Sequence, residues 1–205
     1  MIHTFGDSHA RIGWPVCENL KLHEIGPILA HSFGIDKLKR LDISKFNVKD
    51  EDVVVFSFGE IDCRCHIHKY ITKKTVEEII NEIIYNYINA IKENVSQYKN
   101  LKVYILSVPP ASRKKQVVNN EKFPHLGENE ERKKYVKIFN EVLIKYCKKY
   151  SYLFLDHYTP HLDSEGHLSE VHSFDGVHVT DNRFFKMFIS NIEPNYNVKE
   201  LDAID

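Results

Sequence analysis

Apolar positions along this chain fall into two alternating rhythms. Short β-branched and aromatic runs, of the kind that fill buried strands, occupy residues 2–5, 20–25, 52–58, 101–108 and 152–155. Elsewhere the spacing is helical. Val76, Ile79, Ile80, Ile83, Ile84, Tyr87, Ile88, Ile91 and Val95 recur every three or four residues and predict one long amphipathic helix. Thr75, with Glu78 three residues on, has the capping-box pattern at its start. A second helix is predicted over 128–150, with Tyr135, Ile138, Phe139, Val142 and Tyr146 on one face, and a short last one over 182–192. Gly26-Pro27 stops the second strand, and Pro27 suits the first turn of a helix there.

Strands alternating with helices imply a parallel sheet covered on both faces. The expected fold is therefore α/β: a three-layer α/β/α sandwich around a five-stranded, parallel, flavodoxin-like sheet. No repeat or Gly/Ser/Pro-rich linker divides the chain, so 1–205 is expected to be a single domain, with a core over about 1–192 and a tail over 193–205. In such sheets, sites form at the carboxyl ends of strands. Gly6-Asp7-Ser8 and Gly59-Glu60-Ile61-Asp62 both stand at such ends.

Composition narrows the function. The 205 residues are 42% hydrophobic and 28% charged, with a net charge of −1, so no overall field points to nucleic acid or an anionic membrane. The start is too short and polar for a signal peptide, and no apolar run reaches the length of a membrane span. A soluble, cytoplasmic protein is expected, with no nucleic-acid or membrane partner. The four cysteines, Cys17, Cys63, Cys65 and Cys147, lack the spacing of a disulfide scaffold, which suits a reducing compartment.

Ser8 is the candidate nucleophile. A serine hydroxyl needs a base to take its proton and a third group to orient that base. Asp175-Gly176-Val177-His178 offers both: on one turn, the carboxylate can accept from one imidazole nitrogen and leave the other facing the serine. Gly-Asp-Ser alone is a common turn, and Asp-x-x-His alone often caps a helix. Their joint arrangement, one at the first strand's end and one near the carboxyl terminus, points to catalysis.

These blocks resemble the SGNH, or GDSL-type, hydrolase family. Gly6-Asp7-Ser8-His9 looks like its first block, Asp175-x-x-His178 matches its last, and Gly26 is the candidate for its second-block glycine. The resemblance implies an esterase without metal or cofactor, with catalytic Ser8, Asp175 and His178 and an oxyanion hole at the backbone N–H groups of Ser8 and Gly26. Asp7, Gly59, Glu60 and Arg64 are candidate substrate or oxyanion contacts. Phe58-Gly59-Glu60-Ile61-Asp62 falls where the family's Gly-x-Asn-Asp block belongs, but Ile61 replaces the Asn and cannot donate. Either the two backbone donors suffice, or Arg64 substitutes with its fixed cationic fork; a salt bridge from Arg64 to Asp62 or Glu60 is the competing reading.

The expected substrate is a small-molecule or glycan ester, O-acetyl on carbohydrate in particular. An O-acetyltransferase using the same triad and a glycan- or partner-binding module with impaired chemistry are the alternatives. Cys63, Cys65, His66 and His68 form a dense group of potential zinc ligands, with His161, His167 and His172 in a later loop, although the spacing is not that of a zinc site. Loops 109–126, with Arg113, Lys114 and Lys115, and 156–174, rich in His, are expected to shape the substrate pocket.

Overall fold

In the computed structural model, which describes residues 1–117 and 121–192, all five apolar runs form strands. They are β1 (Ile2–Gly6), β2 (Leu20–Glu24), β3 (Val53–Ser57), β4 (Lys102–Leu106) and β5 (Leu153–Leu155). Every neighbouring pair is parallel, in the order β2-β1-β3-β4-β5. This is the flavodoxin-like order. The direction of winding reverses between β1 and β3 and opens a crevice at their carboxyl ends. The expected 193–205 tail lies outside the described residues.

Strand pleating divides the core in two. Val54, Phe56, Val103 and Ile105 face one layer, made by α1 (Ala30–Asp36), α2 (Val76–Val95) and α3 (Asn129–Tyr150). Val53 and Val55, one residue out of phase, face the other, where Trp14 packs with Phe185, Phe188 and Ile189 of α4 (Arg183–Ile192). Trp14 stacks on Phe185 with ring centroids 3.9 Å apart. This is the three-layer α/β/α arrangement. No described helix is long and apolar enough to cross a membrane.

Local signals hold closely in α2. Thr75 Oγ1 accepts the Glu78 N–H at 3.2 Å while the Glu78 carboxylate accepts the Thr75 N–H at 2.9 Å. Two expectations shift. The α3 face is rotated, with Val136, Leu143 and Cys147 buried and Ile138 and Tyr146 at its margin. The helix after Gly26-Pro27 begins three residues late, at Ala30. Its start is set from outside: the Asp62 carboxylate accepts the N–H groups of Ala30 at 2.7 Å and His31 at 3.1 Å.

Candidate active site

The sheet register brings three sequence blocks to one edge. Gly6 of β1 pairs with Glu24 on one side and Ser57 on the other. Ser8, Gly26 and Gly59 are each two residues beyond that shared rung, so all three emerge at the crevice. Ser8 opens a single 3-10 turn, Ser8–Ala10, whose preceding residue, Asp7, accepts the His9 N–H at 2.9 Å.

The Asp175–His178 turn returns to this edge from 170 residues away. Ser8 Oγ lies 2.7 Å from His178 Nε2, and His178 Nδ1 lies 2.5 Å from Asp175 Oδ2. The second carboxylate oxygen of Asp175 accepts the N–H groups of Val177 at 2.8 Å and His178 at 2.9 Å. One side chain therefore builds the turn and orients the imidazole. Partial burial pushes the Asp175 carboxyl upward. The His178 ring and the two backbone donors outweigh it and hold the pKa at about 2. Asp175 is thus ionised at neutral pH, and Nδ1 carries the proton, leaving the Nε2 lone pair toward Ser8.

Asp7 does not reach the crevice. It is 1% exposed and turned inward, accepting from both the backbone N–H and the ring Nδ1–H of His9, each at 2.9 Å. The carboxylate, one of the candidate substrate or oxyanion contacts, is thus turned to His9 and not to the crevice. His9 has no role legible in its motif, yet its Nε2 donates to the Val177 carbonyl at 3.2 Å and its ring lies 5.0 Å from that of His178. Burial pushes the His9 pKa down, but the charge and hydrogen bond of Asp7 outweigh it and raise it to about 9. A charged imidazolium thus ties the first block to the last. Only its adjacency to Ser8 hinted at this.

On the opposite wall, Gly59 has φ +123°, and an added Cβ would lie 2.7 Å from Phe139 Cζ. Gly26 has φ +101° with open space where a side chain would go. Both are backbone conformations that side chains resist. Ile61 is buried, and Asp62 is occupied in capping α1. Arg64 is 9% exposed; its Nε sits 3.0 Å from Glu60 Oε1 and its Nη1 donates to the Phe123 carbonyl at 3.2 Å. The Glu60 ion pair, the competing expectation for this arginine, is the one formed.

Arg113 ties the two long loops together, 2.6 Å from Asp163 and 2.7 Å from Glu165. The histidines of the second loop mostly turn inward. His157, His161 and His167 are 1–3% exposed, and His167 bonds the Ala111 carbonyl at 3.2 Å. Other residues of the two loops, Lys115 with Leu168, Glu170 and Phe174, line an open cleft. A second, small cavity of about 20 Å³ lies between Glu60, Cys63, Pro109, Pro110 and the Gly176-Val177 turn. Cys63, Cys65 and His66 lie on a π-helical turn, Asp62–His66. Cys65 donates to the Ile61 carbonyl, His66 packs on His31, and His68 bonds the Tyr135 hydroxyl. Among the described residues this group does not converge as a metal-ligand set; His161, His172 and Asp181 do.

A family profile described as GDSL-like Lipase/Acylhydrolase matches residues 21–183, taking in Gly26, Gly59, Asp175 and His178 and beginning after Ser8. No curated protein matches the chain. Solved structures share the fold at low identity. A GDSL-like lipase from Bacteroides thetaiotaomicron is 16% identical with a TM-score of 0.58, over 94% of this chain and 85% of that one. A carbohydrate acetylesterase from Sinorhizobium meliloti is 13% identical with a TM-score of 0.56, over 95% and 99%. An aryl esterase from M. smegmatis is 14% identical with a TM-score of 0.55, over 94% and 98%.

Proposed function

Because this chain belongs to the GDSL-like lipase/acylhydrolase family and is an ester hydrolase, we propose that it is a serine esterase that releases small acyl groups, O-acetyl above all, from carbohydrate. The observation that carries this reading is the unbroken line from Ser8 Oγ through His178 to Asp175. Ser8 Oγ attacks the acyl carbon as His178 Nε2 takes its proton. The tetrahedral intermediate collapses, the alkoxide leaves with that proton, and the acyl group stays on Ser8. Water then gives a proton to Nε2 as it attacks the acyl-serine, and the second tetrahedral intermediate breaks the Oγ–acyl bond, releasing the acid while Nε2 returns the proton to Ser8 Oγ. The N–H groups of Ser8 and Gly26 receive the oxyanion. Arg64 is engaged by Glu60 and Phe123 and acts on the wall of the pocket instead of replacing the missing amide.

One observation supports the substrate class. The solved carbohydrate acetylesterase with this fold is covered over almost its whole length.

Hydrolysis of a small chromogenic acetyl ester tests the mechanism. Ser8→Ala is expected to lower turnover by on the order of 10⁴-fold or more. Equal activity in parent and variant would sink the serine mechanism. Replacing water by a sugar acceptor and analysing the product separates hydrolysis from O-acetyl transfer.

A further inference from the structure

The triad does not use a second cluster of titratable groups, on the far side of the same loop. His161, His172 and Asp181 each offer one ligand atom, and these atoms lie within 4.8 Å of one another. His161 is 2% exposed, and its Nδ1 bonds the His157 carbonyl at 2.9 Å. A carbonyl can only accept, so Nδ1 carries the proton and Nε2 keeps its lone pair. Ligating histidines are commonly oriented in this way from behind.

The contact between the other two residues is short but misaligned. His172 Nδ1 lies 3.1 Å from Asp181 Oδ2, yet it makes no hydrogen bond of acceptable direction. Two groups converging on a shared point have this geometry. A tetrahedral ion with bonds of about 2.0–2.2 Å holds its donor atoms roughly 3.3–3.6 Å apart. The His172–Asp181 pair, at 3.1 Å, is slightly inside that spacing, and the set as a whole, within 4.8 Å, has to close by about 1 Å to reach it. Behind His161 sits His157, 1% exposed with its ring centroid 4.5 Å away and neither ring nitrogen hydrogen-bonded. Buried imidazole nitrogens without partners are costly, and here His172 Nδ1 and both nitrogens of His157 lack one. Asp181 is also held by Arg183: Oδ1 accepts its backbone N–H at 3.0 Å and its Nε at 2.9 Å, and Oδ2 accepts its Nε at 3.0 Å and its Nη2 at 2.5 Å, so an ion at Oδ2 must displace this 79% exposed guanidinium.

We propose that His161, His172 and Asp181 bind a divalent transition-metal ion of the zinc class, which clips the loop carrying Asp175 and His178 to the segment after β5. Two imidazoles and one carboxylate are a zinc donor set, with a fourth position left to water. The Thr180 N–H already bonds the His172 carbonyl at 2.9 Å, closing the loop at its neck. An ion there fastens both ends of the segment that holds the triad's base, a closure that stabilises by restricting the loop. The ion takes no part in the ester chemistry.

Metal-free protein, prepared with chelator, is titrated with Zn²⁺ by calorimetry and with Co²⁺ by visible absorption. The expected result is one ion per chain, a Co²⁺ d–d band, and a melting temperature raised by several degrees. His172→Gln and Asp181→Asn, both at the solvent end of the cluster, should each weaken Zn²⁺ binding by about 100-fold or more and abolish the band. Their metal-free melting temperatures, matched to that of metal-free parent, report that they fold. Ser8→Ala should bind the ion as the parent does, so this result is independent of the esterase mechanism. No uptake by the parent, or uptake unchanged in both His172→Gln and Asp181→Asn, would overturn the site.

Discussion

At the scale of single residues, Asp175 has two separable jobs. One oxygen orients the His178 ring and the other caps the turn through two backbone donors. Asp175→Asn keeps an acceptor for the turn but lets the imidazole settle in the wrong tautomer. Turnover on an acetyl ester should fall by about 10⁴-fold with little loss of stability, read by steady-state kinetics and urea unfolding. His9 makes a prediction of opposite kind. Its folded pKa, raised to about 9 by Asp7 against the pull of burial, exceeds the ordinary value of 6.5. Its contribution to stability is therefore complete below pH 6.5 and is lost as pH rises through 9. Urea midpoints should decline across that window in the parent. His9→Gln should be less stable at pH 6 and show a flatter decline. A slope unchanged in the variant would mean that another group titrates.

At the scale of elements, two helices start by different means. The α2 cap is local: Thr75 and Glu78 satisfy each other's backbone, and Thr75→Ala should cost about 1 kcal/mol by denaturant unfolding without changing activity. The α1 start depends on Asp62, fully buried and 32 residues away in sequence from Ala30. Burial raises the Asp62 pKa to about 7, against the backbone donors that favour its charge. Asp62→Ala leaves two buried N–H groups unmet, so it should destabilise by about 2–4 kcal/mol, more than the Thr75 change. It should also lower activity, because the segment it anchors begins at Gly26, beside Ser8. Equal losses in the two variants would argue against the buried cap.

At the scale of the whole molecule, the crevice exists because β1 lies between β2 and β3, so that one rung of the sheet aims Ser8, Gly26 and Gly59 at the same place. Behind it, Phe139 fills the space against Gly59 and anchors α3 to the sheet. Phe139→Ala should cost about 3–5 kcal/mol, measured by urea unfolding, and loosen the Gly59 wall as well. Periodicity alone determined the strands, the long helices and the α/β layering, because burial of an amphipathic face is a local, repeating demand. The Gly-Asp-Ser and Asp-x-x-His motifs marked Ser8, Asp175 and His178 as the candidate triad, since the chemistry of a serine nucleophile needs those residue types at strand ends and on one turn. Only the tertiary structure decided what depends on partners distant in sequence. Asp62 starts α1 late, Asp7 turns in to hold a charged His9, and Glu60 pairs with Arg64. It likewise gathered His161, His172 and Asp181 where the sequence had shown only a histidine-rich loop. Each of these rests on burial and on the direction of single hydrogen bonds, which no pattern along the chain records.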